Sequence, residues 1–181
     1  MRQDARENRE RILVAAGEVF GEQGTTGSTE EVARLAGVGI ATVFRHFPTK
    51  DELIEAALLR HFEHISAEAR TLAATTDPGR AWQTLVRTMI ETGATKLTLV
   101  SQVADQEGLP DRVAAAADEL KAAVGDVLAQ AQDAGAVRRS ATVDEVYLLI
   151  RGLAYASVAM PGEPAILDRA IDVVLTGLSA R

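Results

Sequence analysis

A chain of 181 residues has room for one or two small domains. It contains no cysteine, which excludes disulfides and thiolate metal sites and suits a reducing cytoplasm. The net charge is −7, and residues 1–60 carry 8 Lys/Arg against 10 Asp/Glu, so a uniformly basic nucleic-acid binder is excluded. The polar first residues predict no signal peptide, and no apolar run approaches the ~18 residues of a membrane span. We therefore expect a cytoplasmic protein without a membrane partner.

Residues 28–36 predict a short helix that ends at a glycine. Ser28 and Glu31 have the spacing of a capping box, in which the hydroxyl accepts a hydrogen bond from an otherwise unpaired backbone N–H. Gly37 follows, and glycine readily adopts the left-handed backbone that ends a helix. The helical spacing predicts a buried face formed by Val32, Leu35 and Ala36.

A second short helix is predicted from about Gly39 to Phe47. Val43 and Phe47 lie four residues apart and should face inward, whereas Ala41, Thr42 and Arg45 should face outward with His46 nearby. Pro48 cannot continue the helix, and Thr49 with Glu52 forms a second predicted capping box, which opens the next helix. Two short helices joined by a tight turn have the form of a helix-turn-helix, whose second helix enters the DNA major groove.

The segment AGVGIATVFRHFPTK, from Ala36 to Lys50, resembles the signature of the tetracycline-repressor (TetR) family of bacterial regulators. The preceding segment, from Arg11 to Gly24, is similar to the first helix of that family, and the resemblance covers residues 9 to 58. The remainder is similar in length and helical character and resembles the SbtR-like subgroup. Three positions depart from the common pattern: Gly39 replaces a capping serine, Ile40 replaces a polar residue and Phe44 replaces a tyrosine.

The resemblance implies which residues meet DNA. Thr42 and Ala41 are expected near base edges, and Lys50, at the start of the next helix, near a phosphate. The predicted DNA-binding set is Ser28, Thr29, Ile40, Ala41, Thr42, Phe44, Arg45, His46 and Lys50.

Further helices are predicted after residue 50, with boundaries at turn residues. Asp77 is a candidate cap for a helix that carries a one-sided apolar stripe beginning at Trp82. Gly93 and Lys96 indicate a break or kink. The predicted helical ranges are 50–74, a helix from about 78, 97–104, 111–134 ending at Gly135, 144–160 and 164–180. The expected fold is all-α with about nine helices: a three-helix DNA-binding head (1–50) and a helical effector-binding and dimerisation body (51–181).

The last two predicted helices carry apolar residues on more than one face. Such a helix needs cover on more than one side, so we expect a four-helix interface in a homodimer. The alternative is a pair of fully internal helices. The predicted interface residues are Tyr155, Ile171, Val174 and Leu178.

Long helices packed around small residues commonly leave an apolar pocket, which predicts a small-molecule effector that is mainly apolar or neutral. The candidate lining residues are Phe62, Trp82, Met89, Gln102, Val103, Leu120 and Val124. The alternative for each is a plain core position. A ligand near Phe62 and Trp82 would push on the helix that begins at Lys50.

No catalytic set, cofactor site or metal site is predicted. His61, His64 and Glu68 share a helix face at a spacing that a metal could use, but a solvated face is the simpler interpretation. We predict a homodimeric repressor, not an enzyme, that binds a palindromic double-stranded DNA operator and is released by its effector. The alternatives are a DNA-binding protein without an effector and a small helical enzyme that carries a helix-turn-helix.

Overall fold

The computed structural model describes residues 2–104, 108–159 and 164–180. Over these residues the chain forms nine α-helices and one 3₁₀ turn at Gly24–Thr26, and it contains no strand ladder. The prediction of an all-α fold is confirmed. The helices are α1 (Arg2–Gln23), α2 (Thr29–Ala36), α3 (Ile40–His46), α4 (Lys50–Thr75), α5 (Pro78–Glu91), α6 (Gly93–Val103), α7 (Asp111–Asp133), α8 (Val143–Ala159) and α9 (Pro164–Leu178).

The predicted helix starts are closed by the predicted caps. The Ser28 hydroxyl accepts from the Glu31 backbone N–H at 3.1 Å, and the Thr49 hydroxyl accepts from that of Glu52 at 3.1 Å. The Asp77 carboxylate accepts from the Arg80 backbone N–H at 3.1 Å. Each bond satisfies one of the donors that a helix start leaves unpaired.

A further capping box, which we did not predict, opens α8. The Glu145 carboxylate accepts from the Thr142 backbone N–H at 2.8 Å, and the Thr142 hydroxyl accepts from the Glu145 backbone N–H at 3.2 Å. The Thr142 backbone N–H, and at 3.1 Å the Thr142 hydroxyl, both donate to the Glu145 carboxylate and lower its pKa below the ordinary value, because they favour the charged form. The Thr-Val-Asp-Glu segment carries the sequence signal for this cap.

The chain divides into two compact units. The head unit comprises the described residues of Met1–Phe62 and Thr95–Ala116, and the body unit comprises those of Glu63–Ala94 and Ala117–Arg181. Helix α4 begins at Lys50 and continues past Phe62, so it contributes residues to both units. The contact-based units therefore differ from the predicted ranges 1–50 and 51–181. That division stays a prediction about function.

The core of the head unit is apolar and built around α1. Ile12 and Phe20 from α1, Val32 from α2 and Val43 from α3 are fully buried. Leu35 does not follow the prediction, since its side chain is 43% exposed. The buried face of α2 instead includes Val32, Ala33 and Ala36 (i, i+1 and i+4), which leaves position 35 at its edge.

The body unit contains the predicted stripe of α5. Its buried residues include Trp82, Leu85, Val86, Met89 and Ile90. At the exposed edge, the Arg87 guanidinium bonds Asp168 and Asp172 of α9, each at 2.9 Å.

Helix α6 starts four residues earlier than predicted. Gly93 begins this helix. A Cβ added at Gly93 would lie 2.6 Å from the Ala154 Cβ of α8, so the glycine permits close packing there. The predicted break is present at Thr92, between the end of α5 and the start of α6, and Gly93 in addition permits the close approach of α6 and α8.

Candidate nucleic-acid interface

The turn between α2 and α3 is built on two glycines. Gly37 has φ +66°, a left-handed conformation that side chains rarely adopt, and its neighbour's N–H (Val38) donates to the Ala33 carbonyl at 3.0 Å. Gly39 caps α3 in an extended conformation with no side-chain hydrogen bond. The turn thus holds α3 through backbone hydrogen bonds and buried side chains.

Helix α3 has one anchored face and one open face. Val43 and the following Phe47 are buried, as predicted. Ile40 (36%) and Phe44 (43%) are exposed at the edge of this face, since they precede Val43 and Phe47 by three residues each. Ala41 and Arg45 are also exposed, whereas Thr42 and His46 are half-buried. The residues predicted near bases therefore share the face that the core of the head unit leaves open.

The two hydroxyls at the start of α2 already have local partners. Ser28 is half-buried and accepts the capping hydrogen bond. Thr29 is nearly buried, and its hydroxyl donates to the Glu30 carboxylate at 3.3 Å. Their predicted contacts with DNA stay predictions.

Lys50 has a structural role that the sequence did not indicate. Its ammonium donates to the Thr25 carbonyl at 3.0 Å and to the Gly27 carbonyl at 2.7 Å, and it lies 5.1 Å from the centroid of the Phe20 ring. These contacts connect the start of α4 to the segment before α2 and use two of the three ammonium donors. The phosphate contact predicted for Lys50 stays a prediction. A phosphate would compete with these two carbonyls for the ammonium group.

Several other cations of the head unit also contact protein groups. The Arg60 guanidinium pairs with Glu10 at 2.6 Å, and Arg9 lies 5.3 Å from the Phe47 ring centroid. Arg34 is exposed and forms only a long 3.8 Å contact with Glu31. Arg34 and Arg45 are therefore the exposed cations that α2 and α3 offer to a polyanion.

The residues predicted to bind an effector are distributed over both units. Gln102 and Val103 are half-buried, and the other five are buried: Phe62, Trp82, Met89, Leu120 and Val124. The Gln102 side-chain amide donates to the Phe20 carbonyl at 3.1 Å and to the Thr98 carbonyl at 3.0 Å. Within the described residues, the buried Trp82 Nε1 and Gln102 Oε1 have no hydrogen-bond partner. That the predicted residues line an effector pocket stays a prediction.

Open cavities in the body unit have linings that do not include the predicted residues. One, of about 780 Å³, lies between α5 and α9 and includes Arg80, Arg87 and Asp172 in its lining. Another, of about 470 Å³, lies between α4 and α7 and is lined largely by alanines with Arg70, Asp126, Gln130 and Asp133. In the described part of the chain, no group of three or more His, Asp or Glu side chains could hold a metal ion.

The predicted interface residues fall into two groups. Tyr155 is 70% exposed and Val174 is half-buried, whereas Ile171 and Leu178 are buried within the chain itself. The prediction for Ile171 and Leu178 is therefore corrected, because those side chains already pack inside one protomer. The large apolar side chains that α8 and α9 expose are instead Leu148, Leu149, Ile166 and Val173 beside Tyr155, and an interface on these helices stays a prediction.

None of the helices within the described ranges combines the length and apolar character needed to cross a membrane.

Two family models match the sequence. The model for "Bacterial regulatory proteins, tetR family" matches residues 12–57, and the model for "Transcriptional regulator SbtR-like, C-terminal domain" matches residues 77–180. HTH-type transcriptional regulators of Staphylococcus aureus are 38% identical over 64 residues, 35% of this chain and 35% of theirs. The chain thus spans about a third of the length of these curated relatives.

Solved structures are similar over nearly the whole chain. A TetR transcription regulatory protein from Mycobacterium vanbaalenii is 33% identical, with a TM-score of 0.80 and 99% of each chain covered. The TetR transcriptional regulator SCO0520 from Streptomyces coelicolor is 30% identical, with a TM-score of 0.84, covering 95% of this chain and 98% of that one.

Proposed function

Because the chain belongs to the TetR family of bacterial transcriptional regulators, which are not enzymes, we propose that it is a repressor. It binds a palindromic operator as a homodimer and leaves the operator when a small-molecule effector binds. The open face of α3 carries this proposal, because its anchored side holds the helix while Ile40, Ala41, Phe44 and Arg45 remain free to meet DNA. The place of action is the cytoplasm, where a bacterial operator lies.

The proposed operator contacts come from α2, α3 and the start of α4. Ala41 and Thr42 approach base edges, and Arg45 and His46 contact the flanking backbone or bases. Exposed Arg45 supports this assignment, because a guanidinium binds phosphate well and carries most weight where no carboxylate neutralises it. Ser28, Thr29 and Lys50 contribute contacts beside their local hydrogen bonds.

The proposed homodimer uses α8 and α9. These helices expose large apolar side chains, namely Leu148 (74%), Tyr155 and Val173 (71%). Contiguous exposed apolar surface of this kind marks an interaction site. A two-fold axis would place this surface against its own copy. Two recognition helices related by that axis would meet successive major grooves, about 34–36 Å apart, on a palindromic site.

The proposed effector is mainly apolar or neutral and binds near Trp82 and Met89. The buried Trp82 N–H supports a ligand, because a buried donor without a partner is costly and a bound acceptor would satisfy it. Binding would shift the operator equilibrium only as far as the effector's affinity differs between the two conformations of the dimer. Helix α4 contributes residues to both units, so it is the proposed carrier of the signal.

The experiment that tests the function is a selection of duplexes from a random-sequence pool with the full chain. We expect an enriched palindrome, bound by two protomers per duplex in sedimentation. Arg45→Ala should weaken binding at least tenfold, within the ~1–3 kcal/mol of a good contact. Arg70→Ala, which removes the same charge from an exposed position of the body unit, should not. Failure to enrich any duplex would reject the proposal.

A further inference from the structure

The exposed residues of α3 form a patch with unusual chemistry for a DNA-reading helix. Ile40, Ala41 and Phe44 are exposed, and Phe44 lies four residues after Ile40 and three after Ala41, so its side chain is a neighbour of both. We call these three residues the α3 apolar patch. Val43 and Phe47 bury the adjacent face, so the patch lies beside the core of the head unit and remains exposed.

The first two residues of α3 offer DNA no side-chain hydrogen bonds. The first residues of a recognition helix contact base edges. Here they are Ile40 and Ala41, preceded by Gly39, and none of the three has a polar side-chain atom. The third residue, Thr42, carries a hydroxyl but is half-buried, and Arg45 and His46 lie in the last turn, at the other end of the helix.

The major groove presents one apolar group that such a patch can contact. Guanine, adenine and cytosine present hydrogen-bonding atoms, whereas thymine adds a C5-methyl group. A patch without donors or acceptors gains nothing from the polar base edges and loses their hydration on contact. It gains from burying a methyl group beside its own apolar surface.

We propose, resting on the proposed operator binding, that the α3 apolar patch determines specificity by contacting thymine C5-methyl groups. The operator therefore contains thymines where the N-terminal half of α3 meets the major groove. Arg45 positions the helix without selecting those bases, since phosphate contacts fix register and carry no sequence information.

The test uses the duplex selected from the random pool by the full chain. Each thymine of a half-site is replaced by deoxyuridine, which removes the C5-methyl and leaves the base-pairing edge unchanged. We expect affinity to fall about fourfold at each contacted thymine, the value of one buried methyl group. A cytosine at such a position should bind better as 5-methylcytosine.

A variant identifies the residues that contact the methyl groups. The variants are Ile40→Ser and Phe44→Ser. In each, replacing thymine by deoxyuridine should no longer reduce affinity at the thymine that the substituted residue contacts; this reduction is called the deoxyuridine penalty. Val14→Ser is the matched control, because Val14 is a similarly exposed (46%) apolar residue of α1 outside the patch, and it should retain the full penalty. Thermal melts of each variant check folding, which should be intact because these side chains are exposed.

The outcomes separate this inference from the function on which it rests. A selected duplex that tolerates deoxyuridine at every thymine overturns the inference and leaves operator binding intact. A penalty that persists unchanged in both patch variants also overturns it, since other residues would contact the methyls. If the patch variants change only the sedimentation of the free protein, the patch is a protein contact and the inference is wrong. If no duplex is selected, the proposed function itself fails.

Discussion

The head and body units differ in whether their polar groups have hydrogen-bond partners and in how much apolar surface they expose. In the head unit, Ser28, Thr49 and Lys50 each bond backbone groups of the same unit. In the body unit, large apolar side chains of α8 and α9 are exposed and the Trp82 N–H lacks a partner among the described residues. These polar groups of the head are therefore bonded within its own unit, although Gln102 Oε1 of that unit lacks a partner among the described residues, whereas the body has the most exposed large apolar side chains.

The largest expected effect tests the unfinished surface of the body. Val173→Glu places a charge at the centre of the proposed interface, and burying an unpaired charge costs several kcal/mol. We expect sedimentation to show monomers at concentrations where the natural chain is a dimer. Gln130→Glu adds the same charge to an exposed position on α7 and should leave the dimer unchanged. An intact Val173→Glu dimer would move the interface away from α9.

The next effect concerns Trp82, which is 2% exposed. Trp82→Ala should cost about 3–5 kcal/mol in urea unfolding, because it removes a large buried ring. Trp82→Phe retains most of the ring and removes only the unsatisfied N–H, so its stability should stay within about 1 kcal/mol of the natural chain. If the indole N–H binds the effector, Trp82→Phe should bind operator normally and require more effector for release. If the amount of effector needed for release is unaltered, Trp82 is a core residue and not part of the effector site.

Sequence patterns predicted the locally determined features well. The predicted helix 50–74 is Lys50–Thr75, and the caps at Ser28, Thr49 and Asp77 form as expected. A capping box or an apolar stripe involves residues a few positions apart, so its signal is contained in the local sequence.

Features set by distant packing were not predictable in the same way. Periodicity showed that α8 and α9 are apolar on more than one side, but it could not show which side the chain itself covers. Ile171 is consequently a core residue, while neighbouring Val173 is exposed. Similarly, Gly93 permits close packing against Ala154, which is distant in the sequence. The Lys50 ammonium likewise bonds carbonyls more than twenty residues away.

A smaller effect tests how far the hydrogen bonds of Lys50 stabilise the head unit. Lys50→Met keeps an apolar stem beside Phe20 but removes both hydrogen bonds, so we expect about 1 kcal/mol of lost stability for this half-exposed group. If the third ammonium donor also contacts a phosphate, the salt dependence of operator binding should flatten by about one unit. Lost stability with an unchanged salt slope would restrict Lys50 to a structural role and remove it from the DNA contacts. Arg70→Met, which removes an exposed charge elsewhere, is the control.

The smallest effect is a pH dependence at the start of α8, the part of the body that is closed locally. Hydrogen bonds from Thr142 lower the pKa of the Glu145 carboxyl in the folded chain. A lowered folded-state pKa means that the stabilisation is present above the unfolded pKa and disappears as pH falls through the folded-state value. Glu145→Gln keeps an oxygen that can accept from the Thr142 N–H but does not titrate, so it should lose less stability than the natural chain between pH 7 and pH 3. Thermal melts at both pH values measure this difference, with Glu145→Ala as the variant that lacks both charge and acceptor. Equal losses in the natural chain and Glu145→Gln would mean that the capping box holds α8 without help from the charge.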